Sequence, residues 1–159
     1  MSINLNVGIV GFGGAGIAQF GHFQSMRDCR VTAVYDSKPG GVDRARSIAP
    51  GILATDDFQK FIASGINSVA ICSSDASHAE YVIAAINAGL HVICEKPLTD
   101  SPESCQQILR AEASAPGVVV AVQHQMRFLE KRWIVDTLRQ LETLCGPLTC
   151  SLQLCLGGI

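Results

Sequence analysis

Charge is scarce in this chain. Only 16% of its 159 residues are Asp, Glu, Lys or Arg, 48% are hydrophobic, and the formal net charge is −2. Such a composition suits one domain with a buried core and excludes a disordered linker. Lys and Arg form no run, so the electrostatic footprint required by nucleic acid is missing. No apolar segment approaches the roughly 20 residues that cross a bilayer. The opening MSINLNVGIV has no basic stretch and passes directly into a strand pattern, unlike a secretory leader. Neither nucleic acid nor membrane is expected as a partner.

The seven cysteines, at 29, 72, 94, 105, 145, 150 and 155, include no C-x-x-C pair. Their number is odd and most lie in apolar runs, where a free thiol behaves as a small hydrophobe. The last three are evenly spaced, but Cys150 and Cys155 would face opposite sides of a strand, and no His stands nearby. Neither a disulfide framework nor a metal site is expected, and the setting read from them is reducing and cytoplasmic.

What the chain does have is alternation. Strand-like runs at 4–10, 30–36, 52–55, 67–73, 91–95 and 117–123 are separated by helix-period segments. This spacing predicts an α/β fold of the Rossmann type, a doubly wound parallel sheet. Ser77 and Glu80 read as a capping box opening a helix with Ala79, Val82, Ile83 and Ile86 on one face, stopped at Gly89. Ser101 and Pro102 open another, with Cys105, Ile108 and Leu109 as its apolar stripe and Pro116-Gly117 after its end. The tail departs from this rhythm. A helix-like stretch, 129–145, leads through Gly146-Pro147 to LTCSLQLCLGGI, whose Leu148, Cys150, Leu152, Leu154 and Leu156 repeat at period two. That suits a strand covered on one face only, the start of a second α/β domain.

The most specific chemistry follows the first run. Gly11, Phe12, Gly13, Gly14, Ala15 and Gly16 form a G-x-G-x-x-G turn between strand and helix. The first glycine permits the turn, the second lets a pyrophosphate approach the backbone, and the third lets helix pack on strand. Asp36 closes the second strand, about 20 residues past Gly16, where an acid accepts ribose hydroxyls of a dinucleotide. A carboxylate there repels a 2′-phosphate and favours NAD. Ser37 and Lys38 follow it and suit that phosphate, so NADP stays open. At the end of the fifth run, Glu95, Lys96 and Pro97 place an acid, a base and a proline where a plain turn needs Gly, Asn or Asp.

Through GFGGAG, AVYD, VAICSSDASHAEYVIAAINAGLHVICEKPL and VAVQHQMRF, the chain resembles the glucose-fructose oxidoreductase/inositol dehydrogenase (Gfo/Idh/MocA) family along nearly its whole length. The resemblance implies a cofactor domain followed by an α/β domain on a large open sheet. It also implies oxidation or reduction of sugars, cyclitols and similar polyols. By resemblance, Lys96 hydrogen-bonds the reacting hydroxyl and helps move its proton, Pro97 fixes that turn, often through a cis bond, and Glu95 borders the same crevice. Ser73, Ser74 and Asp75 stand where the family has Thr-Pro-Asn beside the cofactor; Ser74 replaces the usual proline. His78 reads either as a cofactor neighbour or as a first-turn residue with a local hydrogen bond. Arg127 reads either as the arginine near the nicotinamide or as a surface residue; Glu130 stands where the family has a proline shortly after it. His22 and His91 read as packing or surface residues, and Trp133 as a helix-packing anchor.

The division expected is 1–127 for the cofactor domain, 128–147 for a connecting helix and 148–159 for the first strand of a substrate domain. The resemblance places a second catalytic element, an Asp and a His, beyond Ile159, so the chain alone is expected to lack a complete active site. A homo-oligomer through the C-terminal strand is a possible assembly. Two other functions compete: a non-catalytic NAD(H)-sensing Rossmann module, and an oxidoreductase of the biliverdin or dihydrodipicolinate reductase type. The EKP turn weighs against the second.

Overall fold

Six parallel strands, β1 Leu5–Val10, β2 Cys29–Tyr35, β3 Leu53–Thr55, β4 Ser68–Ile71, β5 His91–Glu95 and β6 Val120–Gln123, form one sheet in the order β3-β2-β1-β4-β5-β6. The computed structural model describes residues 4–124 and, beyond them, Gln140 alone. The chain divides into two units, Met1–Gln123 and His124–Ile159, and every described strand and helix belongs to the first. Arg127, the strand expected over 148–159 and, Gln140 apart, the connecting helix expected over 128–147 lie outside the described residues.

The strands are apolar on both faces because both faces are covered. Val7, Ile9, Val34 and Ala70 belong to one buried layer, into which Ile17, Phe20 and Phe23 pack from α1 (Gly14–Ser25) and Ala45 from α2 (Pro39–Ile48). Val10, Ala33, Val69, Ile71 and Val92 belong to the other. That layer takes Phe61 from α3 (Phe58–Ile62), Val82, Ala85 and Ile86 from α4 (Asp75–Asn87), and Ile108 from α5 (Pro102–Ala113). Each fully buried Val, Ile or Phe among them contributes about 1.5–3 kcal/mol.

Helix ends follow local chemistry. Ser101 accepts from the Ser104 N–H at 3.1 Å with Pro102 next to it, so the expected cap forms. Gly89, at φ +75, ends α4 in a Schellman motif: its N–H donates to Ile86, and that of Leu90 to Ala85. The Ser77–Glu80 capping box is not formed. The helix opens earlier, with Ser74 in extended backbone at the N-cap, and Ser77 Oγ turns back to Ser73 Oγ and Ser74 O. Leu109 leaves the expected stripe and is 54% exposed, because only Ile108 of α5 is fully buried against the sheet. Helices α2 and α3 go beyond the sequence expectation. Short α3 is capped by Asp57, which accepts from Lys60 N–H at 3.1 Å.

The chain winds from β1 out to β3, then crosses back to place β4 beside β1. The turns leaving these two central strands therefore diverge, and a crevice opens at their carboxyl ends.

Candidate functional site

Backbone meets backbone at this switch point. Gly11 has φ +83, and a Cβ there would stand 2.8 Å from the Cys72 carbonyl oxygen and 2.9 Å from Ser73 Cα. Only glycine combines that conformation with that approach. A Cβ on Gly16 would overlap the Gly11 carbonyl oxygen, which is how α1 packs so closely on the turn. Gly13, the N-cap of α1, has nothing within 4 Å of its Cβ position. Its backbone is open to a ligand beside the positive end of the helix, with Gly14 and Ala15 exposed next to it.

Asp36 is held rather than free. Its Oδ2 accepts the Phe12 N–H at 2.8 Å and its Oδ1 the Lys38 N–H at 2.9 Å. Each oxygen keeps capacity for another donor. The Phe12 side chain is fully buried and meets Phe20 edge-on, so only its backbone serves the turn. A cleft of about 460 Å³ is walled by Gly11, Gly13, Asp36, Ser37, Lys38, Ser73 and Ser74. These residues fit a dinucleotide: open glycine backbone for a pyrophosphate, and a fixed carboxylate for ribose hydroxyls.

The same wall holds Tyr35, Gly41, Arg44, Ser77 and Tyr81, none of them expected at the site. Arg44 Nε donates to Phe12 O at 2.8 Å. The Tyr35 and Tyr81 hydroxyls lie 3.3 Å apart; burial, then this contact, hold the Tyr81 phenol above its ordinary range. Ser77 ties Ser73 to Ser74, linking the loop by hydrogen bonds.

The Glu95 turn lies outside the cleft wall. Lys96 and Pro97 are exposed, joined by a cis peptide bond, and Asp75 is exposed at the first position of α4. Glu95 is engaged from behind. The pairing of β5 with β6 sets it beside Gln123, and the Gln19 amide nitrogen donates to Glu95 Oε1 at 3.0 Å and to Gln123 Oε1 at 2.5 Å. Gln19 is 6% exposed on α1; its one signal in the sequence is a polar residue interrupting the apolar run GIAQF. His78, expected either beside the cofactor or as a first-turn residue with a local hydrogen bond, has a fully buried ring that is not part of the cleft wall. Its nitrogens face the carbonyls of Pro97 and Ser73 instead, one bond local and the other 19 residues away. Among the described residues, no group of His, Cys, Asp and Glu is placed to hold a metal, and no helix is long and apolar enough to cross a membrane.

Residues 5–124 match the family model for an oxidoreductase family with an NAD-binding Rossmann fold. The chain is 29% identical over 144 residues to inositol 2-dehydrogenase 2 of Saccharopolyspora erythraea, covering 85% of this chain and 42% of that protein. It is 35% identical over 124 residues to inositol 2-dehydrogenase of Klebsiella pneumoniae, covering 76% and 36%. It thus spans about two fifths of the length of these relatives. The solved structure of Lactobacillus casei scyllo-inositol dehydrogenase with bound NAD(H) and scyllo-inositol shares the fold, with a TM-score of 0.78 at 22% identity over 89% of this chain and 42% of that one. The chain belongs to the glucose-fructose oxidoreductase/inositol dehydrogenase (Gfo/Idh/MocA) oxidoreductase family, and residues 5–124 carry its NAD-binding Rossmann fold.

Proposed function

We propose that this chain is the cofactor-holding part of an oxidoreductase that moves a hydride between a nicotinamide cofactor and a cyclitol, sugar or related polyol. The observation that carries the reading is the pairing, across one cleft, of open backbone at Gly13 with a carboxylate at Asp36 held by two N–H groups. The inositol dehydrogenases among its relatives support the substrate class. When bound, the cofactor supplies the hydride acceptor or donor. Gly11 to Gly16 bind its pyrophosphate, and Asp36 takes the adenosine ribose. Ser73 and Ser74 border it, and Lys96, at the exposed end of β5, bonds the reacting hydroxyl and moves its proton. Arg127 is assigned to the nicotinamide end by resemblance. Residues 1–127 form the cofactor domain in this reading, and a substrate domain supplies the second catalytic element. Free thiols at Cys29, Cys72, Cys94 and Cys105 support a reducing, cytoplasmic setting.

Titration calorimetry tests the reading. NADH should bind saturably to the full chain, and Gly13→Val should abolish binding by blocking the open backbone. Equal affinity in the variant would overturn it. The 159-residue chain alone should not turn over myo-inositol or another cyclitol.

A further inference from the structure

We propose that His78 is a positioning residue that holds the serine loop of the cleft and the Lys96 turn at a fixed separation. The proposal rests on the reading of Lys96 as the proton-moving group. His78 lies in α4 with no exposed surface. A buried imidazole is polar on both edges, and leaving either nitrogen without a partner is costly. Here Nδ1 lies 2.8 Å from Pro97 O and Nε2 lies 3.2 Å from Ser73 O.

Both partners are carbonyls, which only accept. A neutral ring carries one N–H, and the shorter contact assigns it to Nδ1, donating to Pro97; a doubly protonated ring donates to both. A neutral ring thus ties α4 to the Lys96 turn through Pro97 and only touches Ser73 O, whereas a doubly protonated ring bonds both the loop after β4 and the turn after β5. Ser73 belongs to the cleft wall, and Pro97 directly follows Lys96.

Lys96 needs such a support. Its side chain is exposed and, among the described residues, has no hydrogen-bond or ion-pair partner. Its placement is therefore set by its neighbours, Glu95 held by Gln19 and Pro97 held by His78. Displacing a reacting group by about 1 Å is enough to cost a large part of catalysis. His78 does not wall the cleft, so it acts through Ser73 and Pro97.

The test measures NADH affinity and the acylation rate of the Lys96 amine, read by mass spectrometry on the full chain with and without saturating NADH. In the wild type, NADH should shield Lys96. His78→Phe keeps a buried ring but no donor. Its NADH Kd should stay within about threefold, because the glycine turn and Asp36 are untouched, while the shielding of Lys96 falls severalfold. His78→Asn places an amide nitrogen near Nδ1 and should restore shielding; His78→Gln, which reaches toward the Nε2 position, should restore less. Wild-type shielding in His78→Phe would overturn the positioning role. Absence of shielding in the wild type would overturn the placement of Lys96 itself, and that failure shows before any variant is made. Should His78→Phe not fold, ¹⁵N spectra of the wild-type ring decide: a protonated Nδ1 supports the strut, and a bare Nδ1 overturns it.

Discussion

Gly41 lies against the carboxylate of Asp36 so closely that a Cβ on Gly41 would overlap both oxygens and the carbon between them. Gly41 is a buried helical residue in α2, without a left-handed φ, so close approach alone requires glycine there. The helix is thereby shaped around an acid that closes the preceding strand.

Gly41→Ala should therefore push Asp36 off its two backbone donors and weaken NADH binding about tenfold, a loss of roughly 1.4 kcal/mol. Gly21→Ala is the control. It sits on the exposed side of α1 with open space at its Cβ, and it should leave Kd unchanged while gaining about 0.5–1 kcal/mol of stability. Calorimetric titration and urea denaturation read the two effects. Unchanged NADH affinity in Gly41→Ala would separate Asp36 from the cofactor.

Asp36→Ala removes the acceptor of the Phe12 and Lys38 N–H groups together with the charge that opposes a 2′-phosphate. Hydrogen bonds to a charged group contribute about 1.5–3 kcal/mol, so NADH should bind roughly 10- to 100-fold more weakly. NADPH should lose less or gain, since Lys38 and Arg44 remain in the wall. Parallel titrations with both cofactors give the ratio. A wild-type preference for NADPH would show that the two cations outweigh the carboxylate.

Gln19→Leu keeps the volume on α1 but removes the donor shared by Glu95 and Gln123. A partly buried carboxylate left without that donor should cost about 1–3 kcal/mol in urea denaturation. NADH affinity should change little, because Gln19 does not wall the cleft. A stability equal to wild type would show that Glu95 finds another donor.

Burial, then the negative charge of Glu95, pushes the thiols of Cys72 and Cys94 from an ordinary 9.0 up to about 12. At pH 8 both should be alkylated by iodoacetamide at least roughly tenfold more slowly than the partly exposed Cys105, since only the thiolate reacts. The folded state keeps these protons where the unfolded chain releases them. Stability should thus be unaffected below about pH 9 and fall as pH rises from 9 towards 12. Fast labelling of Cys94 in native buffer would mean that β5 opens locally.

What the sequence by itself determined is whatever one segment can settle alone. Runs of Val, Ile and Ala marked all six strands, since strand-forming residues and turn residues alternate over a few positions. Gly11, Gly13 and Gly16 marked the turn because its geometry excludes side chains, and Ser101-Pro102 and Gly89 marked helix ends because caps are local bonds. Strand order, and with it everything that bridges strands, was decided only by the tertiary structure. Gln19 meets Glu95 across 76 residues and Gln123 across 104, and His78 joins two loops only because β4 and β5 are neighbours. Period and propensity tell which residues face inward, but they carry no record of what an inward polar group will find there. That choice follows from the crossing of the chain at β1 and β4. The crossing brought Arg44 and Tyr81 into the cleft wall, while the pairing of β4 with β5 gave His78 its two carbonyls and that of β5 with β6 set Glu95 beside Gln123.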